Sequence, residues 1–242
     1  MEKLNDILGY KNRKIYQNDN FFSFSLDSII LANYVNIKKS DNKICDLCTG
    51  NAVIPLILSL RTNKDIDGVE IQKKLYELGA KSVEYNNLCG QINLYNEDIN
   101  NFCGKHADSY DIVTCNPPYF KVKTDSNKNI SVEKMIARHE VKTNLDEVCR
   151  ITSKILRDKG TFGLIHRTDR FIEVLNNLKK YNLEPKRIKF IYNKIDEEST
   201  IFFVESRKNG SSGLKIEKPF VLRKKDNSYT DEYNKLVVEV RK

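Results

Sequence analysis

The sequence predicts an α/β protein built on a doubly wound, mainly parallel sheet. Short apolar runs typical of buried strands alternate with segments whose apolar residues recur at the 3.6-residue period of a helix. This alternation favours parallel strands covered on both faces, because each crossover connection places a helix on the sheet. The chain has 242 residues, which is enough to bury a substantial core within one domain.

The predicted elements follow one another with short connections. Strands are predicted at 43–47, 65–70, 91–94, 110–115, 161–165, 187–192 and 201–205, with the last strand antiparallel to its neighbour. Helices are predicted at 52–61, 71–87, 141–156 and 170–181. Gly160 is the predicted stop of the 141–156 helix, since glycine commonly follows a helix C-terminus. Residues 120–139 have no period and are predicted to be a long loop.

We interpret residues 1–242 as a single domain in three parts. An N-terminal segment spans 1–40, an α/β core spans 41–208, and a basic extension spans 209–242. The net charge is +8, and residues 179–225 contain 13 Lys and Arg against 6 Asp and Glu. A basic face of this kind suits a polyanion such as RNA. The alternative is that a lysine-rich composition reflects coding bias and a solvated surface.

The sequence gives no sign of membrane insertion, secretion or metal binding. No apolar run is long enough to span a bilayer, and the first residues lack the apolar core of a signal peptide, so we expect a cytoplasmic protein. Its six cysteines are then reduced thiols. Cys45 and Cys48 have CxxC spacing, but neither a second CxxC nor paired histidines accompany them, so no metal site is predicted.

The most informative motif is Asn116-Pro117-Pro118-Tyr119, at the end of an apolar strand. Each proline has a fixed φ, lacks an N–H and drives the preceding residue toward an extended conformation, so the tetrapeptide is stiff. The Asn116 oxygen and a nearby main-chain carbonyl can then accept the two hydrogens of one planar amine, while Tyr119 stacks on its ring. A proline-terminated strand with a packing tyrosine is the alternative structural interpretation.

Polar residues also follow the first three strands of the predicted core. Asp46 and Gly50 lie in a tight loop after the first, Glu70 ends the second, and Asp98 follows the third. Ligands of doubly wound sheets bind at the carboxyl ends of the strands. Gly50 permits close approach of the backbone, Glu70 has the spacing of a carboxylate that binds ribose hydroxyls, and Asp98 can accept an adenine amine. The pattern predicts a nucleoside site.

Four stretches of the chain match one enzyme family. They are residues 22–31, residues 68–72 with 82–86, residues 114–120, and residues 137–140 followed by 165–167. Through them the chain resembles, over nearly its full length, the bacterial tRNA1(Val) adenine-N6-methyltransferases, which are class I enzymes that modify the adenosine at position 37, just 3′ of the anticodon. The resemblance implies a Rossmann-like sheet, S-adenosylmethionine as cofactor, the anticodon region of a valine tRNA as partner, and a monomer.

The resemblance also implies a role for each matching residue, with segment 1–40 closing over the cofactor. Catalysis is implied for Asn116, Pro117 and Tyr119. Cofactor contacts are implied for Asp27, Ser28, Asp46, Cys48, Gly50, Asn51, Glu70, Ile71, Asp98, Ile99 and Asn116. Substrate contacts are implied for Pro118, Tyr119, Phe120, Arg138, His139, His166 and Arg167.

Several of these assignments have open alternatives. Asp27 and Ser28 can cap the following helix instead of lining the methionine end of the cofactor. The loop that ends in Arg138 and His139 either orders on substrate or is a mobile surface loop. His166, with the arginine that follows it, meets either phosphate or solvent.

The chain departs from the family pattern in the first loop. The family usually has glycine at the positions of Cys48 and Ala52, and only Gly50 remains here. A residue with a side chain at Cys48 is strained if its φ is positive. The same alignment explains the CxxC spacing, because Cys45 becomes a strand residue and Cys48 a replaced glycine.

The implied reaction needs positioning more than a strong base. The N6 lone pair of adenine is delocalised, so Asn116 and the Pro117 carbonyl would hold the amine with its lone pair aimed at the donated methyl group. Two alternatives stay open: the same motif serves enzymes that methylate a glutamine amide of a protein or adenine in DNA, and a degenerate cofactor loop would leave an RNA-binding scaffold.

Overall fold

The computed structural model describes residues 1–8, 10–18, 25–117 and 144–237. Its strands are β1 Glu2–Ile7, β2 Tyr10–Asn18, β3 Lys43–Leu47, β4 Asp65–Val69, β5 Ile92–Tyr95, β6 Tyr110–Cys115, β7 Leu156–Arg167, β8 Leu183–Tyr192, β9 Ile201–Lys208, β10 Lys215–Ile216 and β11 Phe220–Val221. Its helices are α1 Leu26–Tyr34, α2 Val53–Leu58, α3 Lys73–Tyr85, α4 Ile99–Lys105, α5 Leu145–Ile155, α6 Phe171–Lys180 and α7 Asp231–Val237.

Nine of the described strands, β3 to β11, form one mixed sheet. Its order is β10-β8-β9-β7-β6-β3-β4-β5, and β11 also pairs with β8. Strands β3 to β7 run parallel to one another, and β9 lies antiparallel between β7 and β8. The predicted fold, mainly parallel and doubly wound with one antiparallel strand near the C-terminus, is confirmed. Strand order reverses beside β3, which has β4 on one side and β6 on the other.

Alternating side chains of the central strands supply two separate cores. Ile44 of β3 and Ile112 of β6 belong to the cluster shared with α1, α2 and α3, whereas Cys45 and Val113 belong to the cluster shared with α4, α5 and α6. Successive residues of a strand point to opposite faces, so the helices cover the sheet on both sides. This burial explains why the strands read as continuous apolar runs rather than alternating ones.

The helix that precedes β7 ends earlier than the sequence predicts. Helix α5 begins at Leu145 because the Asn144 side chain caps it, accepting a hydrogen bond from the Glu147 N–H. It stops at Ile155, and β7 starts at the next residue. Gly160 therefore lies inside β7, and its assignment as the helix stop is wrong.

An N-terminal hairpin, which the sequence did not predict, packs on helix α3. Strands β1 and β2 pair antiparallel, and β2 bonds to side chains of the helix. The Tyr16 N–H donates to Ser82 Oγ (2.9 Å) and the Lys14 N–H donates to Asn86 Oδ1 (3.0 Å). Side-chain partners thus satisfy backbone groups on the outer edge of β2. A hydrogen bond from Asn51 to Tyr16 O also joins the hairpin to the loop after β3.

The C-terminal segment extends the sheet and uses much of the local positive charge. Strands β10 and β11 both run parallel to β8, so part of 209–242 is strand rather than free tail.

Many cations of residues 179–225 pair with acids, and several of those acids lie outside residues 179–225. The pairs include Lys179 with Glu184, Lys180 with Asp146, Arg187 with Glu205 and Glu217, Lys189 with Glu232, Lys208 with Asp108, and Lys224 with Asp231.

Helix α1 rests on β7 at a glycine. A Cβ added to Gly163 would lie 3.1 Å from Val35 Cγ2 and 3.2 Å from Leu31 Cδ1. A side chain at this position would require Val35 and Leu31 to shift by a few tenths of an ångström. At the same C-terminal end of α1, the Arg61 guanidinium donates to the carbonyl oxygens of Ala32 and Val35. Both contacts fix the helix whose first turn reaches the candidate active site.

We expect Gly163→Val to lower the free energy of unfolding by about 1–3 kcal/mol, because the new methyl groups would overpack the interface between α1 and β7. Valine is well suited to a strand, so a loss would report packing rather than backbone preference. The control is Gly90→Val, at an exposed turn where an added Cβ meets no atom within 4 Å. Denaturant unfolding of both variants measures the effect, and equal stabilities would contradict it.

Candidate active site

Most of the predicted site residues meet at the carboxyl ends of four adjacent parallel strands. In sheet order these are β6, β3, β4 and β5. The end of β3 and the loop after it carry the residues from Asp46 to Asn51, while Glu70 and Ile71 follow β4, Asp98 and Ile99 follow β5, and Asn116 and Pro117 follow β6. Backbone hydrogen bonds join these ends: Thr49 N donates to Val69 O (3.0 Å) and Glu70 N donates to Tyr95 O (3.0 Å).

The loop after β3 turns through three left-handed residues. The φ angles are +57° at Cys48, +59° at Gly50 and +68° at Ala52. The two positions where the family usually has glycine therefore do have positive φ, and the strain expected at Cys48 is present. A left-handed conformation costs a residue with a side chain about 1–2 kcal/mol. The surrounding structure must supply this energy.

Glu70 holds that loop by accepting a backbone hydrogen bond from it. The Gly50 N–H donates to Glu70 Oε2 (2.9 Å), and the Gln72 N–H donates to Oε1 (2.8 Å). Burial raises the pKa of Glu70, while these backbone amides act in the opposite direction. The Ile71 amide also lowers the pKa of Glu70 through a backbone hydrogen bond. The two carboxylate oxygens have about four lone-pair sites in total, so capacity for a ligand hydroxyl remains.

Asp46 supports the loop from below. Its side chain is fully buried, and the Thr114 hydroxyl of β6 donates to Oδ1 (2.6 Å). Oδ2 has no hydrogen-bond partner among the described residues. Burial raises the pKa of Asp46 to about 7, opposed by the Thr114 and Thr49 hydroxyls and assisted by the charge of Glu70. Asp46 thus lies in the predicted cofactor region, but its side chain is in the protein interior beneath the loop.

The remaining cofactor-region residues occupy the rim. Asp98 caps α4, and its Oδ1 accepts hydrogen bonds from the Asn100 N–H (2.8 Å) and side-chain amide (2.9 Å). The Asn51 side chain donates to Tyr16 O of the N-terminal hairpin (3.1 Å). Sequence reasoning missed Tyr16, Thr49 and Thr114. Thr114 pairs with Asp46 in the register of β3 and β6, so the two side chains emerge side by side on one face of the sheet.

Asn116 lies at the end of β6 and is bonded to helix α1. Its Nδ2 donates to Ser28 Oγ (2.9 Å), and Ser28 is buried. The N-cap of α1 is Ser25, so Asp27 and Ser28 belong to the first turn and do not cap the helix. Pro117 is buried behind Asn116. Pro118, Tyr119, Phe120, Arg138 and His139 lie outside the described residues.

The two substrate residues predicted at the end of β7 have different surroundings. His166 is fully buried, and burial together with the Arg170 charge lowers its pKa to about 4. His166 is therefore a buried imidazole in this conformation, and its role as a substrate contact stays a prediction. Arg167 is partly exposed and pairs with Asp169 (3.1 Å). A phosphate would have to compete with that carboxylate.

The CxxC residues do not form a metal site within the described part of the chain. Cys45 is buried in β3, where burial raises the pKa of its thiol well above the usual range, and Cys48 lies in the strained loop. In the same described ranges, no three His, Cys, Asp or Glu residues are grouped to hold a metal ion. No helix there is both long and apolar enough to cross a membrane.

The family model named methyltransferase small domain matches residues 14–182. The chain belongs to this family. It is 22% identical to a tRNA1(Val) (adenine(37)-N6)-methyltransferase of Flavobacterium psychrophilum over 231 residues, covering 94% of this chain and 95% of the relative. It is 26% identical to the protein of the same name in Phocaeicola vulgatus over 194 residues, 80% of each chain.

Solved methyltransferase structures share the fold. A predicted O-methyltransferase from Agrobacterium tumefaciens superimposes with a TM-score of 0.67 at 16% identity, covering 89% of this chain and 96% of that one. The geranyl diphosphate C-methyltransferase of Streptomyces coelicolor, solved with S-adenosyl-L-homocysteine, has a TM-score of 0.56 at 9% identity, covering 76% and 77%. At these identities the likeness is one of fold.

The strand-end residues fit the S-adenosylmethionine that the sequence resemblance implies. An added Cβ at Gly50 would meet no atom within 4 Å, so the backbone there is open to close approach. Glu70 is placed beside it with acceptor capacity for ribose hydroxyls, and Asp98 lies one strand further along the same edge. The site therefore offers a backbone surface flanked by carboxylates, which is the donor and acceptor set that a nucleoside requires.

We expect Asp46→Asn to change how stability depends on pH. The pKa of about 7 lies above the ordinary aspartate value, so the folded protein holds one more proton than the unfolded chain between about pH 4 and pH 7. Asp46 therefore lowers stability by about 1.4 kcal/mol per pH unit as pH rises through that window. The variant should match the wild type near pH 4 and exceed its stability at pH 8, as measured by denaturant unfolding.

Asp111→Asn is the matched control, because its expected effect has the opposite sign. Burial acts to raise the pKa of Asp111, but the Asn42 and Lys43 amides and the Arg157 guanidinium hold it below its usual range. Removing that carboxylate should therefore reduce stability at pH 8 and matter less in acid. If the free energies of unfolding of the two variants changed with pH in the same way, the predicted effect of burying Asp46 would be contradicted.

Proposed function

We propose that this protein transfers a methyl group from S-adenosylmethionine to the N6 amine of an adenosine in tRNA. The position of Asn116 carries the proposal. The structure places this amide at the end of β6, beside the β3 loop with Gly50 and Glu70, where the strand order reverses. Ligands of doubly wound sheets bind at that point, so the amine-holding motif and the nucleoside-binding edge face one crevice.

The chemistry rests on orienting the amine. An adenine N6 lone pair is delocalised into the ring and becomes nucleophilic only when the nitrogen turns toward a tetrahedral geometry. The Asn116 oxygen and the Pro117 carbonyl accept its two hydrogens and direct the lone pair toward the methyl group that S-adenosylmethionine supplies. These bonds strengthen as positive charge develops on the nitrogen, so they favour the transition state over the bound substrate.

Asn is better suited to this role than Asp. A buried carboxylate carries a desolvation penalty, and Asp46 illustrates it through its raised pKa in the same region. A neutral carboxamide accepts the same hydrogen bond without that penalty. No strong base is required, because the methylated aryl ammonium loses its proton readily to water.

The proposed substrate is position 37 of a valine tRNA, bound through its anticodon region. The relatives from Flavobacterium and Phocaeicola carry that specificity in their names, and the first aligns with nearly the whole chain. Enzymes that modify a base turn it out of its stack, and aromatic side chains receive it. We assign this role to Pro118, Tyr119 and Phe120, and we assign RNA contacts to Arg138, His139 and Arg167.

The comparisons do not favour methylation of protein glutamine or DNA adenine, since the relatives named above act on tRNA by name. A scaffold without cofactor is the remaining class. Calorimetric titration with S-adenosylmethionine separates it from the enzyme: saturable binding supports methyl transfer, and its absence supports the scaffold.

We expect Asn116→Ala to lower kcat for tRNA methylation by about 100-fold or more, because one preorganised polar contact to the reacting group is lost. The assay incubates protein with unmodified tRNAs and labelled S-adenosylmethionine and then maps the product nucleoside. N6-methyladenosine at position 37 of a valine tRNA is the expected product. Asn177→Ala, which removes a carboxamide from α6, is the control and should retain activity.

Label in protein or DNA with none in tRNA would refute the proposed substrate. Full activity of the Asn116 variant would refute its proposed role, provided that its affinity for S-adenosylmethionine equals that of the wild type.

A further inference from the structure

The amide of Asn116 has a defined partner outside its own motif. Its Nδ2 donates to Ser28 Oγ at 2.9 Å, joining the end of β6 to the first turn of α1 across 88 residues of sequence. The sequence resemblance implies that Ser28 contacts the cofactor. The structure instead records its hydroxyl as the acceptor of a bond from the amine-holding residue.

We propose that Ser28 is a positioning residue that sets the orientation of the Asn116 carboxamide for methyl transfer. This inference rests on the proposed function. A carboxamide has its donor and its acceptor on opposite sides of one planar group. When Nδ2 donates to Ser28, Oδ1 faces away from that contact, which is the orientation that an incoming amine hydrogen requires.

Ser28 can hold this orientation because helix α1 is firmly placed. Its hydroxyl lies on a helix whose next residues, Ile29, Ile30 and Leu31, are fully buried. The C-terminal end of the same helix contacts β7 at Gly163 and is bonded by Arg61. An acceptor on a rigid element restrains its partner better than one on a loop.

The hydrogen bond acts on two properties of Asn116. The terminal torsion of an asparagine is broad, so a fixed partner removes orientations that would point a donor at the amine. Donation from Nδ2 also polarises the amide and makes Oδ1 a stronger acceptor, since hydrogen bonds in a chain reinforce one another. A serine hydroxyl can donate as well as accept, so Ser28 alone would allow both orientations of the Asn116 carboxamide. The substrate amine directs its hydrogens at Asn116, which requires Oδ1 on the substrate side. Nδ2 then lies on the Ser28 side, and the Ser28 hydroxyl accepts its hydrogen bond.

The experiment compares single and double variants in the tRNA methylation assay. Ser28→Ala should lower kcat about tenfold, which corresponds to the loss of one hydrogen bond, and leave the dissociation constant for S-adenosylmethionine unchanged. Ser28→Thr keeps the hydroxyl and should restore most of the rate. Ser206→Ala removes a buried hydroxyl from β9, one that has no partner among the described residues and lies outside the candidate site, and should leave kcat unchanged.

The decisive measurement is the double-variant cycle. If Ser28 acts through Asn116, Ser28→Ala should have no further effect on kcat in the Asn116→Ala background. An equal tenfold loss in both backgrounds would overturn the inference. So would weakened S-adenosylmethionine binding with kcat unchanged, because Ser28 would then be a cofactor ligand.

The activity of the wild-type protein distinguishes failure of the positioning role of Ser28 from failure of the proposed function. An active wild type whose Ser28→Ala variant has the same kcat overturns the positioning role alone. A wild type that binds S-adenosylmethionine but methylates no tRNA overturns the proposed function, and the positioning role fails with it.

Discussion

The hydrogen bond from the Gly50 N–H to Glu70 is the contact on which the site depends. It ties the loop after β3 to the end of β4, and the Glu70 backbone in turn bonds to β5. Parallel pairing brings the strand ends to one edge but leaves the loops between them undefined. A buried carboxylate that accepts main-chain donors from two segments removes that freedom. The shape of the loop after β3 thus depends on one side chain at the end of β4.

Much of the fold could be read from the sequence because the central strands are buried on both faces. Continuous apolar runs such as that before Asn116 have few other stable arrangements. The mainly parallel sheet followed from the alternation of strands with helices, and the antiparallel strand was predicted where two strands, 187–192 and 201–205, follow each other without a helix between them. The cofactor-edge residues were predictable for the same reason: a polar residue that directly follows a buried parallel strand lies at the carboxyl edge, as Glu70 and Asp98 do.

What the sequence left open depends on contacts between distant segments. The N-terminal hairpin buries Ile7, Tyr10 and Ile15 in the core, and its β2 edge bonds to side chains of α3, contacts that no local pattern reveals. The apparent stop at Gly160 failed because α5 passes directly into β7. His166 followed a strand in the prediction but lies within β7, where it is fully buried. The contact between Asn116 and Ser28 spans two elements whose approach only the packing of α1 defines.

The charge of the C-terminal segment shows the same limitation. Counting residues 179–225 gave a large excess of cations, yet the fold supplies acids such as Asp108, Asp146 and Glu232 from elsewhere in the chain. Local composition therefore overstated the basic character of that face. An RNA surface has to be argued from cations that remain uncompensated after folding, because a paired lysine must exchange one anion for another.

In the loop after β3, the backbone conformation is kept although the residues usual for it are replaced. Cys48 and Ala52 stand where the family usually has glycine, and both still adopt positive φ. A left-handed alanine persists only when its surroundings supply more energy than the strain costs. Here Ala52 is fully buried, and the loop is held by Glu70, by Thr49 and by the hairpin through Asn51. A ligand that contacts the backbone of this loop depends on its conformation, which is kept although the two glycines are replaced. The substitutions therefore reduce the stability of the loop without removing its binding surface.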